Sequence, residues 1–161
     1  MADTNENQAP VTPPNSIAQA SVDEKGRLKF PSEFLGYLDA LGITKVFITT
    51  LDLRLGRIYP IDKWFDNLKV LESSRQNPAA AQRLSFTAKV YGGEAEIDKS
   101  GRVLVPAKLR EKLGVAKGPI WLEAYQDRIN LVTQAEFDKR MAEVEKFVAS
   151  DLEALEEEGF Q

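Results

Sequence analysis

Residues 22–38, VDEKGRLKFPSEFLGYL, return at 97–113 as IDKSGRVLVPAKLREKL. A constant offset of 75 places Asp23 on Asp98, Gly26 on Gly101, Arg27 on Arg102 and Pro31 on Pro106. Each copy reads as a strand, a tight glycine turn, a short strand and a helix begun by proline. A chain that repeats a whole supersecondary unit is constrained to a duplicated architecture, and the resemblance extends beyond these seventeen positions. A hairpin follows each copy, KVFITTLDLRLGRIYP in the first and PIWLEAYQDRINLV in the second, both rich in β-branched and aromatic residues. Each half then closes with a helix, begun near Ile61 and near Gln134.

At 161 residues and 43% apolar composition, the chain is long enough for one ordinary domain or two small ones with a compact core. We expect a disordered leader at 1–16, where three prolines stand among polar residues. The first unit is expected at 17–64, a connecting helical region at 65–91 ended by Gly92 and Gly93, and the second unit at 92–135. In the short helices Pro31 and Pro106 suit the first helical position. Phe34, Leu38 and Leu41 are expected to share a face, as are Leu109 and Leu113, and Gly42 and Gly114 suit the residue beyond the end. From 136 to 161 an acidic helix carries Phe137, Met141, Val144, Val148, Leu152 and Leu155 at spacings of three and four. A helix lying on its own subunit is expected ahead of an intersubunit seam.

The chain has no cysteine and no histidine, so disulfides, thiolate chemistry, the usual zinc ligands and the commonest general base are all missing. No cofactor, metal site, small-molecule substrate or catalytic activity is expected. Neither a signal sequence nor an apolar run of membrane-spanning length is present, which predicts a soluble cytoplasmic protein with no membrane partner. The net charge of −4 hides an uneven distribution: residues 136–161 hold nine acidic and three basic side chains, leaving the rest at +2.

The basic charge gathers at the repeated turns. From 97 to 112 there are five basic and two acidic residues, with Lys99 and Arg102 in the turn, and the first copy carries Lys25, Arg27 and Lys29. Glycine at 26 and 101 permits positive φ, so the backbone reverses and throws the next arginine outward. Asp23 and Asp98, each four residues before its arginine, can accept from turn amides or pair with the guanidinium, fixing its direction. Alone, such a turn is explained by a local surface ion pair of little energetic consequence. Two of them amid clustered lysines suit a polyanion, and arginine can bind guanine bidentately in the major groove. The predicted DNA-binding residues are Arg27, Arg102, Lys25, Lys99 and Lys29, with Asp23, Gly26, Asp98 and Gly101 positioning the turns.

Two D-x-x-G-R turns, each followed by an apolar strand and a proline-led helix, resemble the SpoVT-AbrB DNA-binding domain. Two such domains in one chain, with RIYPIDKWFDNL after the first hairpin and GGEAEIDKSGRVLVPAKLREKLG in the second half, resemble the MraZ family. The resemblance covers about Ile17 to Phe137. It implies an α+β protein whose two halves form one intramolecular swapped-hairpin β-barrel flanked by helices and assembled as a ring-like homo-oligomer. It also implies a nucleoid-associated bacterial transcriptional regulator, binding tandem G-rich repeats upstream of the division and cell-wall gene cluster. The family's functional positions fall on Asp23, Arg27, Asp98 and Arg102. The chain departs from the family in its longer leader, in AYQDR, which lacks a glycine before Asp127-Arg128, and in its acidic tail.

Two other classes compete. An AbrB-type antitoxin or interaction module is favoured by one short repeat with a disordered tail, whereas this chain has two repeats and a helix with an apolar stripe. An enzyme would have to use Asp98, Lys99 and Ser100, the one crowded polar group, without histidine and without a second convergent cluster.

Overall fold

The computed structural model describes residues 10–161. The expected leader lies outside the described residues at 1–9, and residues 10–16 carry neither helix nor strand. The first half runs β1 (Ala18–Ala20), β2 (Arg27–Lys29), α1 (Ser32–Ala40), β3 (Lys45–Thr49), β4 (Gly56–Pro60) and α2 (Ile61–Ser73). After α3 (Pro78–Tyr91), the second half repeats the series as β5 (Gly93–Glu96), β6 (Arg102–Leu104), α4 (Ala107–Leu113), β7 (Ile120–Tyr125), β8 (Arg128–Thr133) and α5 (Gln134–Glu157). The fold is α+β, with every strand pairing antiparallel.

The halves are interleaved. Six strands form a sheet in the order β1-β7-β8-β4-β3-β5, so the first strand of each half adds to the hairpin of the other. The remaining strands, β2 and β6, make a separate two-stranded ribbon in which Leu28 pairs with Val103, its own equivalent at an offset of 75. The sheet ends at β1 and β5; among the described residues its hydrogen bonding does not close into a barrel.

Alternation along the strands splits the sheet into two faces. One carries Val46, Ile48, Ile58, Ile120, Leu122, Ile129 and Leu131, all buried in a core completed by Leu28 and Val103 of the ribbon and by Phe34, Leu38 and Leu109 of α1 and α4. The other face holds a smaller cluster under α2 and α3, where Trp64 stacks on Phe47 at 4.4 Å and meets Tyr59 at 5.3 Å. Buried Thr49 ties α3 to this face by donating its hydroxyl to the Ala88 carbonyl at 2.9 Å.

Three local expectations change. Pro31 and Pro106 occupy the N-cap rather than the first helical position: both are extended (ψ 149° and 136°), and their carbonyls accept the first helical bonds from Leu35 and Arg110. Only the φ of a proline is locked, so the ring is as compatible with this extended residue as with a helical one. Leu41 leaves the buried face of α1, remaining exposed beyond Phe34 and Leu38, because the helix ends at Ala40. The expectation that α5 lies on its own subunit fails. No residue of this 24-residue helix is buried, and its root alone is fastened, by Trp121 stacked on Phe137 at 4.2 Å and by Arg140 donating to Glu123 at 2.7 Å. The acidic charge opposite the stripe does not decide whether another part of the same chain is near enough to cover it. No helix among the described residues is long and apolar enough to cross a membrane.

Candidate nucleic-acid interface

Both turns are built around their aspartates. Asp23 Oδ1 accepts from the backbone N–H groups of Lys25 and Arg27, each at 2.9 Å, while Oδ2 accepts from Arg27 Nε at 3.1 Å. Asp98 Oδ1 accepts from the amides of Ser100 at 2.8 Å and Arg102 at 2.9 Å. In both turns the glycine amide donates to the aspartate carbonyl at 3.0 Å, with φ of 85° at Gly26 and 76° at Gly101. These bonds favour the charged carboxylate and hold both aspartates below the ordinary value of 3.8, the Arg27 amide leading at Asp23 and the Arg102 amide at Asp98. Asp98 Oδ1 thus holds two amides of its own turn, as Asp23 Oδ1 does in the first half.

A lowered folded-state pKa means that these bonds support the turn fully above the unfolded value and are lost as pH falls through the folded one. The amide resonances of Ser100 and Arg102 should therefore titrate together with a midpoint below 3.8. A midpoint at or above that value would show that the carboxylate does not hold them.

The ribbon joins the turns. Gly26 accepts from the Val105 amide at 2.9 Å and Gly101 from the Phe30 amide at 3.0 Å, so each turn is hydrogen-bonded to the other half. With a period of two, Leu28 and Val103 face the core, and Arg27, Lys29, Arg102 and Leu104 face outward. Lys29 pairs with Arg102, which brings three predicted binding residues from both halves onto one ribbon face, with a turn at each end. Lys25 and Lys99 lie in the turns themselves, also exposed.

The turns differ in one respect. Arg27 is tied to its aspartate, whereas among the described residues Arg102 makes no side-chain bond to Asp98. Sequence reasoning counted Arg110 only as part of a basic segment, but its Nε donates to the Val105 carbonyl at 3.0 Å and its guanidinium lies against Gly26, where a Cβ would collide with it. Its equivalent in the first half, Leu35, packs on Gly101 in the same way: an added Cβ would stand 2.7 Å from Leu35 Cδ2. The signal was the repeat offset itself, which aligns 35 with 110.

A protein with this fold and site belongs to the class built from two interleaved Asp-x-x-Gly-Arg units sharing a basic ribbon. Residues 92–157 match the family profile described as "MraZ protein, putative antitoxin-like". The chain is 34% identical over 139 residues to the transcriptional regulator MraZ of Acidobacterium capsulatum, covering 86% of this chain and 93% of that protein. It is 30% identical over 141 residues to its counterpart in Koribacter versatilis, with the same coverage, and 37% identical over 109 residues to that of Heliobacterium modesticaldum, covering 66% and 71%. The chain belongs to the MraZ family.

Proposed function

We propose that this protein is a sequence-specific DNA-binding transcriptional regulator without catalytic activity, acting in the cytoplasm at the nucleoid. The observation that carries the reading is the β2–β6 ribbon, which sets Arg27, Lys29 and Arg102 on one outward face between two fixed turns. A two-stranded ribbon fits the major groove, where arginine reads guanine O6 and N7 while lysines hold phosphates. Arg27 and Arg102 are assigned to base edges, Lys25, Lys29 and Lys99 to the backbone, and Asp23, Gly26, Asp98 and Gly101 to the turns. The relatives' designation as transcriptional regulators supports this reading. So does the exchange of strands, which supports treating units 17–64 and 92–135 as one swapped-hairpin body with 65–91 as its connection. The target is tandem repeats upstream of the division and cell-wall gene cluster. Anisotropy titrations with that DNA test the reading: binding should weaken linearly on a log–log plot of affinity against salt, and a flat titration would contradict it.

Reading several repeats requires several ribbons, hence a homo-oligomeric ring. Two unlike apolar surfaces support a head-to-tail contact: that around Phe86 on α3, and the α5 stripe, whose Val148 and Leu152 are each 46% exposed. Light scattering should give a mass above twice 18.0 kDa. Val148→Glu with Leu152→Glu should lower it toward one chain without loss of helical signal. An unchanged mass would take α5 out of the contact.

A further inference from the structure

A second site lies away from the ribbon, on the sheet face covered by α2. Arg57 and Tyr59 on β4 and Arg128 and Asn130 on β8 share that face: Arg57 is paired with Asn130, and the same register carries Tyr59 opposite Arg128. Between these strands and α2 opens a cleft of about 340 Å³, lined by Arg57, Tyr59, Lys63, Trp64 and Arg128 with the apolar Leu51, Val70 and Leu71 at its walls.

Among the described residues neither Arg57 nor Arg128 forms an ion pair with a carboxylate. Arg57 gives Nη1 to the Tyr59 hydroxyl at 3.1 Å, while its Nε is buried with no acceptor. Arg128 is directed by neutral groups: Nε donates to Asn130 Oδ1 at 2.9 Å and Nη1 to Gln126 Oε1 at 3.2 Å, and the guanidinium lies 4.7 Å from the Tyr125 ring centroid. Asn130 is itself held by donating to Glu123 at 3.3 Å, and Glu123 by Arg140 of α5. Three carboxylates are near: Asp52 Oδ1 accepts from the Arg54 and Leu55 amides while its charge acts on both arginines, Asp127 lines the cleft and faces Lys63 at 3.8 Å, and Asp66 lines it from the exposed side of α2. Burial first, and the Arg57 charge second, hold the Arg128 guanidinium below its ordinary value. Two like charges lining one concave space, neither in direct contact with a carboxylate, form an arrangement that an oxyanion relieves.

We infer that this cleft binds a small phosphate monoester, its phosphate held between Arg57 and Arg128 with Lys63 alongside and its organic part against the apolar walls. A cleft of this volume exceeds a bare phosphate and suits a small metabolite. The site shares no residue with the turns or the ribbon, so it is a ligand site additional to the DNA surface.

The test is calorimetric titration of the full-length protein with inorganic phosphate, AMP and adenosine at constant ionic strength, alongside thermal melts. Saturable binding is expected for phosphate, tighter for AMP, and absent for adenosine. Arg57→Met and Arg128→Met should each weaken AMP binding at least tenfold, and Arg128→Lys less. The conservative Arg128→Lys keeps the test open if a methionine variant does not fold. No saturable heat with AMP, or equal affinity in wild type and in the folded variants, overturns the proposal. Loss of DNA binding in these variants without any AMP binding by the wild type also overturns it and assigns the arginines to DNA phosphates.

Discussion

Replacing Arg27 or Arg102 by alanine should weaken binding to the specific DNA site by ~1–3 kcal/mol each, roughly five- to 150-fold, with the thermal midpoint nearly unchanged. The expectation rests on where the side chains stand. Both leave the outward face of the ribbon, and neither is among the buried residues of the core. Their contribution to folding is therefore small. Lys29→Ala, opposite Arg102, should instead weaken binding to all sequences about equally, because a phosphate contact carries no base information. If Arg27→Ala and Arg102→Ala both bind the site as tightly as wild type, the turns are not the reading heads.

Leu28→Ala should be strongly destabilising. Leu28 is fully buried at the centre of the ribbon, paired with Val103 and packed against the core. Deleting a leucine side chain at such a site costs about 2–5 kcal/mol, a large share of the roughly 5–15 kcal/mol that holds a domain folded. The midpoint of thermal unfolding should fall by roughly 5–20 °C. Leu104→Ala, on the outward face of the same ribbon and 54% exposed, should change stability by less than about 0.5 kcal/mol. Equal effects of the two substitutions would show that the ribbon is not seated on the core.

The repeat made the element series readable, because identical local signals at an offset of 75 produce the same turn, strand and helix twice. Gly42 at φ 69° and Gly114 at φ 69° follow the ends of α1 and α4, where a residue in that conformation was expected. Pairing between the halves was not readable in detail. A three-residue strand such as β2 has the same pattern whichever strand it joins, and only the tertiary fold decides that Lys29 meets Arg102. That the sheet does not close among the described residues has the same origin, since β1 and β5 extend it in register without any local residue that marks them as edges.

The second hairpin shows what a missing glycine means. Its turn follows Tyr125 without glycine, and Gln126 takes φ 52° instead, a conformation that glycine adopts with less strain. The arginine cleft had a faint signal in the alternation of Arg57 with Tyr59 and of Arg128 with Asn130, polar positions on strands whose other face is apolar. Alternation alone names a face; the cleft exists because β4 and β8, 71 residues apart at the Ile58–Ile129 pair, lie side by side.

The most direct test of the central claim is a footprint of the purified protein on the DNA upstream of its own gene, repeated with Arg27→Ala/Arg102→Ala. The account predicts regularly spaced protected repeats with wild type, and loss of that protection in the double variant while its melting curve stays that of wild type. Protection that persists unchanged in a folded double variant, or no protected repeat with wild type, would contradict it.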